Sequence, residues 1–351
     1  MILKPKFWHN KKVLVTGCAG FSGSWLVIFL HLLKSKIIGY SLKAPSKPSL
    51  FKILNLRNKI KLYNADINNY NNLKKIIYKE KPDIIFHLAA NAIVLDCYRE
   101  PVNTFKTNSF GVLNLLELLR NYKKKITVNI ITSDKCYRNV SKQNSLFDED
   151  SPLGGDDVYS ASKAVAEIMV KSYQNYFSNN IKISTIRSGN IIGGGDWGKY
   201  RLITDLVLSK YKNKKLTIRN LNSVRPWQHI FDVIHAYLLI AQYTSSSNKF
   251  NNWNVAPHNS RISVKNIYSF FFDKKNPLIK IQKKNDIEKK KLYLNSKKIK
   301  RILNWRPLFS FKSMMKDIEG WYYNFYEKKD VEKYTYDAVK NFLNKIKYKC
   351  F

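Results

Sequence analysis

Three glycines at three-residue spacing, Gly17, Gly20 and Gly23, stand between the apolar run Val13–Thr16 and the apolar stretch Ser24–Leu33. Such a short apolar strand carries no polar face, so it must be buried on both sides, as the strands of a parallel α/β sheet are. Glycines in the turn let a backbone approach a pyrophosphate, and the following helix offers free N–H groups and a positive dipole end. We therefore read the turn as a dinucleotide cradle rather than a bare bend.

The alternation continues downstream. Ile37–Tyr40 reads as a second strand, followed by a strand ending at Asp66 and a helix over Asn69–Lys79. Ile84–Ala90 is a strand with small residues at its end, Pro101–Arg120 a long helix with Pro in its first turn, and Thr127–Thr132 and Lys182–Arg187 are further strands. This predicts an α/β fold, a Rossmann-type doubly wound parallel sheet. After the loop Gly193–Trp197 the pattern changes to short mixed elements, with helices near Arg201–Lys210 and Val233–Gln242 and a strand-rich stretch Ile218–Ile230. We assign 1–188, with 230–250 returning to it, to a Rossmann domain. Segments 189–229 and 251–351 form a smaller, interleaved C-terminal substrate domain. The last two helices, Phe311–Tyr326 and Thr335–Ile346, are basic and amphipathic and are expected to pack on the surface. After the second strand the chain gives Ser41-Leu42-Lys43-Ala44-Pro45 instead of the acid that would bind a ribose diol. That position leaves NAD and NADP both open.

Chemistry gathers at two places. Tyr159 and Lys163 lie four residues apart on a predicted helix and share a face. An ammonium beside a phenol lowers its pKa from about 10 and makes it a candidate base for a hydroxyl proton. Ser133-Asp134-Lys135 follow the strand Thr127–Thr132 at its C-terminal end, the edge where open α/β sheets carry their chemistry. Asn108, inside the long helix, is either simply hydrogen-bonded in place or braces the lysine through water.

The net charge of +37 raises nucleic acid as a partner. The basic residues are dispersed along the chain, however, with no stripe interleaved with aromatics, so we read a biased composition and no nucleic acid. The same field suits an anionic small substrate. Cys18, Cys97, Cys136 and Cys350 show neither CxxC nor metal-ligand spacing, which points to a reduced, cytoplasmic chain without a metal. Met1–Asn10 lacks an apolar leader core, and Trp25–Leu33 is shorter than the ~20 residues of a membrane span. No membrane partner is expected.

With these residues in place the chain resembles an extended short-chain dehydrogenase/reductase over nearly its whole length. Within that superfamily it is most similar to the nucleotide-sugar 4,6-dehydratases, in particular those acting on CDP-glucose. The resemblance rests on Thr132-Ser133-Asp134-Lys135-Cys136-Tyr137, Pro152-Leu153-Gly154-Gly155, Gly189 to Trp197, and Arg225-Pro226-Trp227-Gln228-His229. It implies an NAD-dependent hydro-lyase, a homodimer, that makes a 4-keto-6-deoxy sugar for deoxysugar and O-antigen lipopolysaccharide synthesis. Tyr159 would take the 4-hydroxyl proton, Lys163 hold the cofactor ribose and Ser133 orient the hydroxyl. Asp134 would be the acid at the 6-hydroxyl and Lys135 the group handling the C5 proton, or the two in swapped roles. Gly17, Gly20, Phe21, Ser22, Gly23, Asp66, Ile67, Leu88, Ala89, Ala90 and Asn108 would line the cofactor. Asn190, Arg219, Arg225 and Asn254 would hold the nucleotide diphosphate. The chain departs from the pattern at Cys18-Ala19 and Ser22 in the glycine turn, and at Asn91, Leu95, Cys97 and Thr204. Leu95, where an Arg is usual, bears on substrate geometry and keeps a related nucleotide sugar in view. An epimerase or reductase would need only the Tyr/Lys pair, and an RNA-binding relative would need a continuous basic face.

Overall fold

The computed structural model describes residues 1–138, 146–177, 179–218, 220–247, 250–258, 261–272, 278–281 and 293–348. Seven strands make the central sheet: β1 (Lys12–Thr16), β2 (Lys36–Ser41), β3 (Lys61–Asn64), β4 (Ile84–His87), β5 (Ile126–Ile131), β6 (Ile181–Ser188) and β7 (Asn251–Val255). They are all parallel, in the order β7-β6-β5-β4-β1-β2-β3. The order reverses at β1 and β4, whose register pairs Thr16 with His87 at their C-terminal ends. A crevice opens at such a switch point. The doubly wound sheet expected from the glycine turn and the strand spacing is present.

The helices that carry the site and close the core are α1 (Phe21–Leu32), α2 (Tyr70–Glu80), α3 (Pro101–Phe105 through Lys106–Phe110 to Gly111–Arg120), α4 (Val158–Tyr173), α5 (Leu202–Lys212), α6 (Ile230–Ser246), α7 (Phe311–Tyr326) and α8 (Val331–Tyr348). Successive strand residues point to opposite faces, so each strand feeds two cores. Leu14, Ile38, Ile85 and Val128 pack with Leu115 and Leu119 of α3 and Val170 of α4. Val13, Val15, Ile37 and Phe86 pack on the other face with Trp25 and Phe29 of α1 and Phe231 of α6.

Two boundaries differ from the sequence reading. β7 pairs with β6 in the main sheet, so the segment that returns to it runs on to Val255 rather than stopping at 250. The C-terminal helices are amphipathic as expected but are not a surface appendage. Met314, Met315, Ile318, Trp321 and Tyr322 of α7 and Phe342 of α8 are buried in the same core as α1 and α6. Phe342 meets Phe29 and Phe231 ring to ring. Large aromatics at helical spacing can bury far more area than the basic face suggests.

The remaining chain forms two-stranded ribbons rather than a second sheet: Leu216–Ile218 with Ile279–Ile281, Val224–Arg225 with Ile262–Ser263, and Gln228–His229 with Ile191–Ile192. They sit over the C-terminal edge of the main sheet and roof a cavity there.

Candidate active site

The glycine turn is shaped by close backbone approach. Gly17 has φ +69°, and a Cβ on it would lie 2.8 Å from Ala89 N. A Cβ on Gly23 would lie 2.2 Å from Gly17 O, so helix and turn touch backbone to backbone. Gly20 differs: a Cβ there would meet only Gly17 O, at 3.3 Å, and its outer side is open. Gly20 is also the N-cap of α1 and leaves the first N–H groups of the helix without a side-chain cap. An open glycine before uncapped N–H groups, with Phe21 and Ser22 in the first turn, fits the pyrophosphate of a dinucleotide. Thr16 Oγ1 accepts from Leu88 N and Ala89 N, both at 3.1 Å, which pins the end of β4 beside the turn. Ala90 follows in the same segment. Asp66 is exposed just past β3, its carbonyl held by Tyr40 Oη at 2.7 Å, and Ile67 is buried against Gly111. These residues are brought to one edge of the sheet.

Asp157 caps α4, accepting from Ser160 N at 2.9 Å, and so fixes where the helix starts. Tyr159 and Lys163 then fall on consecutive turns facing the end of β5. Lys163 is only 5% exposed and donates to Ile131 O at 3.2 Å. Burial pulls its pKa down to about 8. Burial also pushes Tyr159 up to about 12, opposed by a hydrogen bond with Ser133 and by the charge of Arg201. The expected lowering of the phenol by Lys163 is thus not what the geometry gives. The ammonium is spent on a backbone carbonyl, and desolvation dominates the phenol.

Asn108 lies in the π-helical turn of α3, a distortion frequent at functional sites. It accepts from Asn91 N at 2.8 Å and donates to Asn91 O and to Ser162 Oγ. The amide is hydrogen-bonded in place, as expected of a polar residue among apolar neighbours. Asn108 ties α4 to the loop after β4 through Ser162.

Ser133 and Asp134 are buried at the end of β5, and Lys135 is half-buried. Ser133 Oγ donates to Asp134 Oδ1 at 3.0 Å and accepts from Lys135 N at 3.2 Å. Burial raises the Asp134 pKa despite the opposing charges of Lys135 and Arg225. The conflict between an acid and its cationic neighbour is therefore decided by desolvation. Lys135 Nζ stands 5.9 Å from the centre of the Tyr159 ring, so both groups reach one place.

That place opens on a cavity of about 350 Å³ lined by Asp134, Lys135, Asn190 and Arg225, with Arg201 and Tyr98 among its other walls. Asn254 does not belong to it. Its amide accepts from Tyr137 Oη at 2.6 Å and donates to Phe147 O at 3.1 Å, and its N–H donates to Glu149. A fully buried amide with every polar atom engaged has nothing left for a diphosphate, so the expected substrate role of Asn254 is dropped. Arg219 and Cys350 lie outside the described residues. Arg201 went unnoticed in the sequence because it reads as the first residue of a helix in a chain rich in basic residues. Its place just after Gly-Gly-Gly-Asp-Trp was the available signal. Among the described residues no His/Cys/Asp/Glu group could hold a metal, and no helix is long and apolar enough to cross a membrane.

A Tyr-x-x-x-Lys helix docked on the strand ends beside a glycine turn defines the short-chain dehydrogenase/reductase class in its extended form. The chain belongs to the GDP-mannose 4,6 dehydratase family, whose profile matches residues 14–318. It is 38% identical over 265 residues to the CDP-glucose 4,6-dehydratase of Salmonella typhimurium, covering 73% of this chain and 74% of that one. Among solved structures it is similar to the NAD complex of a dTDP-glucose 4,6-dehydratase from Bacillus anthracis, with TM-score 0.77, 23% identity and 91% and 98% of the two chains covered. A UDP-glucose 4-epimerase from Thermotoga maritima, solved with UDP-glucose, has TM-score 0.77, 23% identity and covers 89% and 98%. The two structures bear on the fold alone.

Proposed function

We propose that the protein is an NAD-dependent CDP-glucose 4,6-dehydratase, converting CDP-glucose to CDP-4-keto-6-deoxyglucose and water. The observation that carries this reading is Lys135 Nζ 5.9 Å from the centre of the Tyr159 ring, with Asp134 and Lys135 lining the cavity beside it and Ser133 bonded to Asp134. A C4 epimerase or a simple reductase has no use for a buried acid and a lysine beyond the phenol. Elimination across C5–C6 needs both.

Bound NAD would supply the hydride acceptor for C4 and the hydride donor for C6. Gly17, Gly20, Phe21, Ser22, Gly23, Asp66, Ile67 and Leu88 to Ala90 would hold it, with Lys163 at its ribose. The chain's own residues then move protons. Tyr159 takes the proton of the 4-hydroxyl, which Ser133 orients. The 4-ketone acidifies the C5–H, Lys135 takes that proton, Asp134 gives its own to the departing 6-hydroxyl, and Lys135 returns its proton to C5 as the 6-deoxy carbon is reduced. Burial raises the Asp134 pKa, the direction that an acid in this role needs. Asn190, Arg201 and Arg225 face the diphosphate, which a guanidinium binds through two oxygens at once. This reading makes 1–188, with 230–255, the cofactor half and the ribbons the nucleotide-sugar half.

The same reading has the enzyme working as a homodimer in the cytoplasm. Exposed Val102 and Phe110 on α3 and Ile168 on α4 supply an apolar face for a second copy, and the free thiols Cys18, Cys97 and Cys136 suit a reducing compartment.

The test is incubation of the purified protein with CDP-glucose and NAD, following loss of water from the sugar nucleotide by mass. Tyr159→Phe should abolish oxidation. Lys135→Ala should permit oxidation and accumulate reduced nicotinamide. Turnover of another nucleotide-glucose and not of CDP-glucose would sink the assignment of the base, and full activity in either variant would reject its role.

A further inference from the structure

Glu167 falls on the same stripe of α4 as Tyr159 and Lys163, one and two turns further on. It is 1% exposed, and both of its oxygens are engaged. Thr132, the residue just before Ser133, donates its hydroxyl to Glu167 Oε1. Thr185 Oγ1 at 2.7 Å and Arg187 at 2.8 Å, both on β6, donate to Oε2. Arg187 carries the network past the turn. It donates to Tyr137 Oη at 2.8 Å and to Glu149 O at 3.0 Å, and Tyr137 in turn donates to Asn254.

The Asp134–Cys136 turn is a single 3-10 turn with little structure of its own. The network grips it on both sides, through Thr132 before it and Tyr137 after it. The helix carrying Tyr159 and Lys163 has further anchors of its own: the Asp157 cap, the Asn108–Ser162 hydrogen bond and the Ser109 hydroxyl on Ser162 O at 3.0 Å. Loosening Glu167 therefore acts first on the Asp134–Cys136 turn, and reaches Lys163 only through its charge and the shared end of β5.

We propose that Glu167, with Arg187, is a positioning residue for the elimination step, holding Asp134 and Lys135 in register with the sugar while contributing little to the oxidation. This rests on the dehydratase reading above. A displacement of about 1 Å at reacting groups can cost on the order of 100-fold in rate, so the turn has to be held this firmly.

The experiment uses full-length Glu167→Gln loaded with NAD and mixed with CDP-glucose, reading reduced nicotinamide by its absorbance and water loss by mass. Oxidation in a single turnover should stay within a few-fold of the parent. Water loss should slow by on the order of 10- to 100-fold, with reduced nicotinamide accumulating, and Glu167→Asp should recover part of the rate. Thr132→Val, which removes only the strand-side donor, should shift the same partition more weakly and covers the case in which Glu167→Gln does not fold. Equal losses in both steps, or no change in either, in a variant whose Tm is near the parent's would overturn the proposal. Failure of the parent itself to form a 4-keto product would instead overturn the functional reading.

Discussion

Replacing Lys163 by methionine should stabilise the protein at neutral pH while destroying its activity. Lys163 is 5% exposed, and burial lowers its pKa from 10.5 to about 8. At 1.36 kcal/mol per pKa unit, holding that ammonium charged in the folded chain costs about 3 kcal/mol at pH 7. The hydrogen bond to Ile131 O, lost in the variant, offsets about 1 kcal/mol. A net gain of roughly 2 kcal/mol remains. The pH dependence gives the sharper test. Between about 8 and 10.5 the unfolded parent still binds a proton that the folded parent has released, so parental stability rises with pH through that window and is lost as pH falls through 8. The methionine variant lacks this term. Its advantage should be full below pH 8, shrink through the window and reverse near its top, where only the lost hydrogen bond remains. Urea unfolding of both proteins from pH 7 to 10.5 measures the difference, and the other titrating groups cancel in the comparison. A variant less stable than the parent at pH 7, or a difference that does not change with pH, would refute the reasoning.

Two further outcomes follow from the same geometry. Gly194→Ala would put a Cβ 2.2 Å from Trp321 Cγ, against a ring already fixed by its bond to Thr335 Oγ1 at 2.9 Å; a loss of about 1–3 kcal/mol or more is expected, read from the urea midpoint. Asp134→Asn should retain oxidation and stall elimination, and it should also remove the fall in elimination rate that the parent shows as pH rises through the raised pKa of its acid; a parental alkaline limb that persists in the variant would assign the proton to another group.

The parts of the molecule governed by local pattern were legible in the sequence. The glycine spacing, the apolar strands and the Tyr159–Lys163 interval each follow from one short stretch, and the sheet assembles as they require. What depends on distant partners was not. Asn254 reads as a polar residue near a substrate site, and only the fold shows it closed off by Tyr137, Phe147 and Glu149. The basic face of the last two helices hid Trp321 and Phe342 from a reading that weighed charge. Glu167 and Arg187 carry no signal at all, because a buried ion pair between helix and strand has no characteristic spacing.

The proton inventory of the site also departs from the one that spacing suggests. Burial pushes the Tyr159 phenol up to about 12 and raises the Asp134 carboxyl, while it pulls Lys163 down to about 8. Ser133 joins the two acids: its single hydrogen goes to Asp134 Oδ1, while its oxygen lies within hydrogen-bonding reach of Tyr159. One hydroxyl hydrogen cannot serve both at once, so Ser133 must turn between them if it is to act in both halves of the reaction. On the dehydratase reading, oxidation would want the hydrogen on the Tyr159 side, and elimination would want Asp134 carrying its own proton. Protonation of Asp134 would weaken its hold on the Ser133 hydrogen and free it toward Tyr159. On the dehydratase reading, the raised pKa of Asp134 would serve the first step as well as the second, and burial of one carboxyl by the turn after β5 would link them.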